Sequence, residues 1–179
     1  LMILTPFLCS AELCYLTVLP FFFIGTLGMT PAEFGMAISP LPLAYCFGCL
    51  TVTRILNRYS RIKIISYGLS LALLGSLFPV LGYYFSPLST SPIIIGLSMH
   101  ACGMAWVFSP ALSLALESYE DNKGAATAVR SILINPAALF GSIVGCFLNG
   151  TTFLSTGLYV FITSALAFFL FSKFRRTYE

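Results

Sequence analysis

Long apolar runs, separated by short polar or charged segments, make up most of the chain. A helix rises 1.5 Å per residue and needs about 20 residues to cross a hydrocarbon core of roughly 30 Å. Six runs are long enough, and they cover about residues 1–27, 34–53, 64–85, 93–116, 124–148 and 153–171. The pattern therefore predicts six transmembrane helices that form one membrane domain over residues 1–179.

Helix-start and packing signals accompany these runs. Glu33 follows the turn residues 28–31 and marks the start of the second helix. In the fifth run, Gly141-x-x-x-Gly145 presents a smooth face that predicts close packing against another helix. Prolines 20, 40, 42, 79 and 110 predict kinks.

The composition agrees with a membrane protein. Apolar residues make up 58% of the chain and charged residues only 8%, whereas soluble domains carry roughly a quarter charged residues. A bilayer accepts such apolar surface because its core penalises only polar groups. The nine Lys and Arg are spread over several short segments, so the net charge of +3 does not indicate nucleic-acid binding.

The positions of the basic residues predict the orientation of the chain. Four lie between Arg54 and Lys63 after the second run, two lie around the start of the fifth, and three follow the sixth. The loops between the other runs contain none. Short loops rich in Lys and Arg stay in the cytoplasm, so we expect a multi-pass protein of the cell (inner) membrane with both termini cytoplasmic.

The six cysteines lie inside apolar runs, and we interpret them as small buried hydrophobic residues. Cys46-x-x-Cys49 has the spacing of a metal or redox site, but a second ligand pair is missing and His100 is the sole histidine. We therefore expect no metal and no cofactor.

Several motifs of the chain resemble Bcr/CflA-type drug-resistance transporters, which are major facilitator proteins. The motifs are Tyr15 with Pro20-Phe21, Thr30 to Met36, Gly48, Arg54 to Lys63, Tyr67 to Leu71, Gly103 to Pro110, Ala115 to Glu117, and Gly124 to Ala128. The resemblance implies an all-α membrane fold, namely the C-terminal six-helix half of a major facilitator protein. We expect two inverted three-helix units, although the sequence shows no obvious repeat.

The resemblance also implies a function. Such proteins are secondary active transporters that export drugs or small metabolites in exchange for protons. It further implies that the substrate cavity lies between this half and a missing N-terminal six-helix half. The expected partners are therefore the lipid bilayer, a small-molecule substrate, protons and that missing half.

Glu12 lies near the middle of the first run and is the leading candidate for a mechanistic role. An ionised carboxylate at this depth costs at least a few kcal/mol unless it faces a cavity or a partner. Protonation removes that cost, so Glu12 is a candidate for proton coupling or for binding a cationic substrate. The alternative is a permanently protonated Glu12 that is hydrogen-bonded to a neighbouring helix.

Other residues of the expected substrate or proton pathway are aromatic or titratable. His100 lies early in the fourth run and is able to titrate or to bond a polar substrate. Tyr15 and Trp106 offer flat rings for aromatic or cationic drugs. Simple packing inside the bundle is the alternative for each of them.

A second group of candidates consists of charges at the cytoplasmic edge. Arg130 lies two turns inside the fifth run and is expected to pair with Glu117, Glu120 or Asp121. Such a pair would open and close with the transport cycle, and snorkelling of Arg130 to the interface is the alternative. The expected gate charges are Arg54, Arg58, Arg61, Glu117 and Arg130.

Two alternatives to a transporter are an intramembrane enzyme and a non-transporting six-helix remnant or half-subunit. An intramembrane zinc protease needs two histidines one turn apart, and a serine hydrolase needs a Gly-x-Ser near a histidine; the chain meets neither requirement, so we expect no enzyme. A non-transporting remnant, or a half-subunit that needs a partner, stays open. Because the chain begins at Leu1, we expect a fragment, which an upstream reading frame for six more helices would support.

Overall fold

A computed structural model describes residues 2–118, 123–148 and 152–178. Helices and the turns between them account for these residues. The helices are α1 (Leu4–Pro20), which continues as a π-helical segment (Phe21–Thr26), α2 (Pro31–Ile38), α3 (Pro40–Ile55), α4 (Arg61–Phe85), α5 (Ser91–Ser118), α6 (Lys123–Phe147) and α7 (Leu154–Tyr178).

Among the residues that the structure describes, six spans are long and apolar enough to cross a membrane, which confirms the predicted six-helix architecture. The first span combines α1 with the π-helical segment, and the second combines α2 with α3. The sequence predicted a start for the second span near Phe34, but the helix begins at Pro31. It is also interrupted at Ser39, before Pro40, which has no backbone N–H to donate.

The earlier start of the second span has a local cause at Thr30. The Thr30 hydroxyl accepts the Glu33 N–H at 3.3 Å, and the Thr30 N–H donates to Glu33 Oε2 at 2.8 Å. This reciprocal capping satisfies two backbone donors, and Pro31 at the first helical position needs no donor partner. Just before it, Gly28 takes a φ of 70° that ends the first span.

An aromatic cluster closes the end of the bundle near this turn. Phe22 and Phe23 lie in the π-helical segment that directly follows Pro20, and both are fully buried. The Phe22 ring lies 5.7 Å from that of Phe153 between centroids, and the Phe23 ring lies 5.9 Å from that of Phe34. The cluster thus joins the first span to the second and to the start of α7.

The helix contacts follow a twofold pattern. The main contacts join α1 to α6 and α7, α5 to α3 and α4, and α4 to α7. Exchanging the first three spans for the last three replaces α1 by α5, α3 by α6 and α4 by α7, and this exchange maps the set of contacts onto itself. The packing therefore has the symmetry of two three-helix units, the second of which starts from the opposite side of the membrane because three is odd.

Glycines bring α4 and α5 into backbone contact. Gly68, Gly75 and Gly82 repeat every seven residues in α4, and Gly96 and Gly103 do so in α5. A Cβ on Gly103 would lie 2.5 Å from the Gly68 carbonyl oxygen, and one on Gly75 would lie 2.6 Å from that of Gly96. No side chain fits between the two helices at these levels.

The predicted packing face of α6 is confirmed. A Cβ on Gly141 would collide with the Ser10 carbonyl oxygen, and one on Gly145 would lie 2.9 Å from that of Cys14. The face therefore packs directly against the α1 backbone. The α1–α6 contact is the symmetry counterpart of the contact between α3 and α5, where Gly48 packs against Cys102 and Ala105.

The glycine contacts predict how a substitution at Gly103 changes the free energy of unfolding. Gly103→Ala adds a methyl group where no space exists, so we expect a loss of about 1–3 kcal/mol in unfolding free energy, measured by thermal or denaturant unfolding in detergent. The matched control is Gly35→Ala in α2, because a Cβ there meets nothing within 4 Å. Equal melting temperatures for the two variants would contradict the close contact.

Candidate functional site

Glu12 lies half-buried in the middle of the first span. Its carboxylate lies within electrostatic range of Cys9 and Tyr15 on α1 and of Tyr45 on α3. Within the described part of the chain, no hydrogen-bond donor or cation lies within bonding distance of its carboxylate. Glu12 is therefore a carboxylate at mid-span without a charged or hydrogen-bonded neighbour to stabilise its ionised form.

Arg130 on α6 lies near the same region. Its guanidinium also lies within electrostatic range of Cys9 and Tyr45. The guanidinium carbon lies 5.8 Å from the centre of the Phe108 ring. A guanidinium over an aromatic face is favoured by the ring quadrupole. The buried Nε has no hydrogen-bond partner among the residues described. Glu12 and Arg130 thus both lie within electrostatic range of Cys9 and Tyr45, and they form no ion pair with each other.

Tyr15 and His100 form an interior pair between α1 and α5. Their ring centroids lie 5.9 Å apart with an interplanar angle of 87°, and both side chains are buried. Neither ring nitrogen of His100 has a hydrogen-bond partner in the described residues. Since Tyr15 lies within electrostatic reach of Glu12, the pair connects the Glu12 region to α5.

Trp106 lies in the contact between α5 and α3. Its indole N–H donates to Thr51 Oγ1 at 3.0 Å, and the Thr51 hydroxyl in turn donates to carbonyl groups of its own helix. Of the four expected pathway residues, the structure brings Glu12, Tyr15 and His100 into one neighbourhood. Trp106 instead makes a hydrogen bond between two helices.

At the end of the bundle where α4 starts, the charged residues have partners that differ from the expected ones. Glu117 forms an ion pair with Arg61, which starts α4, and does not pair with Arg130. The cause is the antiparallel packing of α4 and α5, which places the first residue of α4 beside the end of α5. Glu120 and Asp121, the other expected partners of Arg130, lie outside the described residues. The Arg61 guanidinium holds the pKa of Glu117 below its usual value.

Arg54 and Arg58 line a surface cavity at the end of α3. Ile55, Asn57 and Tyr59 complete its lining, and its volume is about 490 Å³. Both arginines are exposed. Neither has an acidic partner in the part of the chain that the structure describes.

This helical bundle, with six apolar spans and a carboxylate within one of them, is that of a multi-pass membrane protein. The chain belongs to the Major Facilitator Superfamily, whose family model matches residues 1–178. It is therefore a member of a transporter family and not an enzyme.

A relative supports the same assignment. The chain is 27% identical over 120 residues to the chloramphenicol resistance protein CraA of Acinetobacter baumannii. The match covers 67% of this chain and 29% of CraA, so the chain spans less than a third of that protein in the alignment.

The Trp106 hydrogen bond can be tested with the single tryptophan as its own reporter. Thr51→Val keeps the side-chain shape but removes the acceptor, so we expect a loss of roughly 1 kcal/mol in unfolding free energy and a shift in tryptophan emission. Thr53→Val is the control, because the Thr53 hydroxyl donates to the Leu50 carbonyl of its own helix and not to a residue of another helix in the described part of the chain. An unchanged emission spectrum in Thr51→Val would argue against the bond.

Because of the Arg61–Glu117 pair, we expect the stability of the fold to depend on pH. Because the pKa of Glu117 is lowered in the folded protein, the pair stabilises the fold above the ordinary glutamate pKa and loses this effect as pH falls through the lowered value. We expect Glu117→Gln to lower the melting temperature at neutral pH and low salt. The difference should shrink in acid and in 1 M salt. A difference that is independent of pH would show that the pair is not its source.

Proposed function

We propose that this chain is one half of a secondary active exporter that moves drugs or small metabolites in exchange for protons, with Glu12 as the proton-binding group. The observation that supports the proposal most directly is the half-buried Glu12 carboxylate at mid-span, which has no cation or donor beside it among the described residues.

The cost of a membrane charge makes this carboxylate suitable for coupling. Ionised Glu12 requires water or a cation nearby, whereas protonated Glu12 tolerates an apolar environment. Its proton occupancy therefore depends on whether its surroundings are open to water or closed. A rearrangement that opens the site favours proton release, and proton binding favours the closed arrangement.

The Tyr15–His100 contact offers a route by which the two three-helix units respond together. Tyr15 lies three residues after Glu12 on α1, while His100 belongs to α5 in the other unit. Rocking of α1 against α5 changes the distance between these rings. We assign Tyr15 and His100 to the proton pathway on this basis, and Trp106 to the wall of the substrate route at the α3–α5 contact.

The proposed substrate class is supported by the relative CraA and by the aromatic content of the helices. CraA is a chloramphenicol resistance protein, which makes chloramphenicol a suitable first test compound. Aromatic rings such as those of Tyr45 and Trp106 suit flat, weakly polar molecules, because they supply large contact area with few rotatable bonds.

An N-terminal six-helix half is proposed as the partner of the outer face of α6. This helix is the least buried of the six spans. Large apolar side chains are exposed along it, namely Val129, Ile132, Leu139, Phe140, Ile143 and Phe147. The match to CraA covers 29% of that protein, which leaves room for a second helical unit in a complete carrier.

We assign the end of the bundle that carries Arg54, Arg58 and Arg61 to the cytoplasm of the cell (inner) membrane, following the positive-inside rule. The Arg61–Glu117 pair at this end is proposed as a gate contact, because it ties the start of α4 to the end of α5. Arg130 is proposed as a further gate charge.

Proton coupling is tested by transport in vesicles. The protein made from its complete reading frame is reconstituted, an outward or inward pH gradient is imposed, and chloramphenicol movement is measured. We expect Glu12→Gln to abolish accumulation against a concentration gradient while leaving the melting temperature close to that of the wild type.

Glu33→Gln is the matched control, because glutamine preserves a capping box and Glu33 lies at the exposed start of α2. Normal gradient-driven transport by Glu12→Gln would refute proton coupling through this residue. A wild-type protein that moves no compound under any gradient would instead favour a non-transporting six-helix remnant.

A further inference from the structure

A layer of buried polar side chains separates two apolar clusters in the core of the bundle. His100 of α5 and Ser164 of α7 belong to this layer, and both side chains are fully buried. Cluster residues flank them along each helix: Leu97 and Val160 of one cluster, Met104 and Ala167 of the other. The spacings of three and four residues place each polar side chain on the same helix face as its flanking cluster residues. Both polar groups therefore face the core.

The hydrogen-bonding atoms of these two side chains are unpaired within the described part of the chain. They are Nδ1 and Nε2 of His100 and Oγ of Ser164. An uncharged imidazole carries one N–H donor and one acceptor nitrogen, and a hydroxyl both donates and accepts. Because a buried polar group without a partner lowers stability, the site favours a ligand that both donates and accepts.

Contacts with α4 show that His100 and Ser164 lie at the same height in the bundle. A Cβ on Gly75 of α4 would lie 2.7 Å from the His100 backbone nitrogen, and one on Gly157 of α7 would lie 3.4 Å from the Val80 nitrogen. Ser164 follows Gly157 by seven residues, and α7 runs antiparallel to α4. Ser164 is therefore level with the residue seven before Val80, which is about 3 Å along the axis from Gly75.

Ser76 adds a third polar group to this layer. It follows Leu69 and Ala72, which belong to one of the apolar clusters, on the same face of α4, and its side chain is fully buried. The Ser76 hydroxyl donates to the Leu73 carbonyl at 2.6 Å. Its oxygen can still accept a hydrogen bond from another donor.

The helices that carry His100 and Ser164 lie across the core from each other. The main contacts of the described residues join α4 to both α5 and α7, whereas α5 and α7 are not a main pair. Since a serine side chain is short, a bridging group is needed between it and His100. Water suits this position, because it donates and accepts and typically makes about three hydrogen bonds when buried. We infer that the centre of the core binds a water molecule held by His100, Ser164 and Ser76.

This water joins three helices at the centre of the bundle. It accepts a hydrogen bond from the His100 N–H and donates to the hydroxyl oxygens of Ser76 and Ser164. Because α4 belongs to the first three spans and α5 and α7 to the last three, the water connects the two units. It also fixes the orientation of the His100 ring beside Tyr15.

The water site does not depend on proton coupling through Glu12. All three of its ligands are buried inside this six-helix unit, and bound water is detected without transport. Coupled transport in a protein without this water would overturn the present inference alone. A detected water in a protein whose Glu12→Gln variant transports normally would overturn the coupling proposal alone.

The direct test is solid-state NMR of the protein from its complete reading frame, in bilayers and with ¹⁵N-labelled histidine rings. The signals of His100 are those that disappear in His100→Gln. We expect magnetisation transfer from water protons to the His100 ring at short mixing times. Transfer from a protein hydroxyl proton without transfer from water would overturn the inference, because it would show a direct bond to serine.

A pair of variants on α7 tests the position of the water. Ser164→Val removes one ligand and adds methyl groups where the water lies, so the water signal at His100 should be lost. Thr156→Val is the matched control, because it also removes a buried hydroxyl of α7 that has no partner among the described residues. Thr156 lies eight residues, or about 12 Å, from Ser164, so its variant should keep the signal. Retention of the signal in Ser164→Val would overturn the inference.

A double-mutant cycle gives a second measurement that does not require Ser164→Val to fold. Ser164→Ala and Ser76→Ala each remove one ligand of the water, and each should lower the melting temperature by a few degrees. The double variant should lower it by clearly less than the sum, because both changes act through one water. Ser76→Ala combined with Thr156→Val should be additive. Additive effects in both pairs would overturn the inference.

Discussion

Backbone contact through glycine is the interaction on which this bundle depends. In a bilayer the lipid tails are as apolar as leucine, so burying leucine between helices gains little, and association rests on close packing of small residues. Gly68 against Gly103 and Gly75 against Gly96 let α4 meet α5 without side chains between them. Because α4 belongs to the first three spans and α5 to the last three, this contact also joins the two units.

Some polar groups inside the bundle have hydrogen-bond partners on other helices in the described part of the chain, and others do not. Trp106 donates to Thr51, and Ser10 shares a 2.6 Å hydrogen bond with Tyr159 across α1 and α7, so these groups fix helix positions. Glu12 lacks such a partner among the described residues. Groups that are fully bonded make the framework rigid, whereas an unsatisfied charge is sensitive to any change in its access to water.

The spans were predictable from sequence because the free energy of transferring a helix into lipid is a sum over its own residues. The start of the second span was predicted near Phe34 and lies at Pro31, because Thr30 and Glu33 cap the helix about one turn earlier. The pairing of Arg61 with Glu117 was not predictable in the same way, because it depends on which helices are neighbours. The spacing of seven between Gly68 and Gly75 was a readable signal for the α4–α5 contact, but it differs from the familiar spacing of four. The internal repeat is not obvious in the sequence, and the order of helix contacts shows it.

The π-helical segment after Pro20 has a geometric consequence for the first span. A π turn accommodates one residue more than an α turn, and one residue of an α-helix corresponds to a rotation of about 100° and a rise of 1.5 Å. If the segment rewound as regular α-helix, the part of α1 before Pro20 would turn by about that angle relative to the buried Phe22 and Phe23. The first span therefore contains a segment about which its two parts can rotate relative to each other. A change of this segment from π-helix to α-helix would rotate the carboxylate of Glu12 to a different side of the bundle.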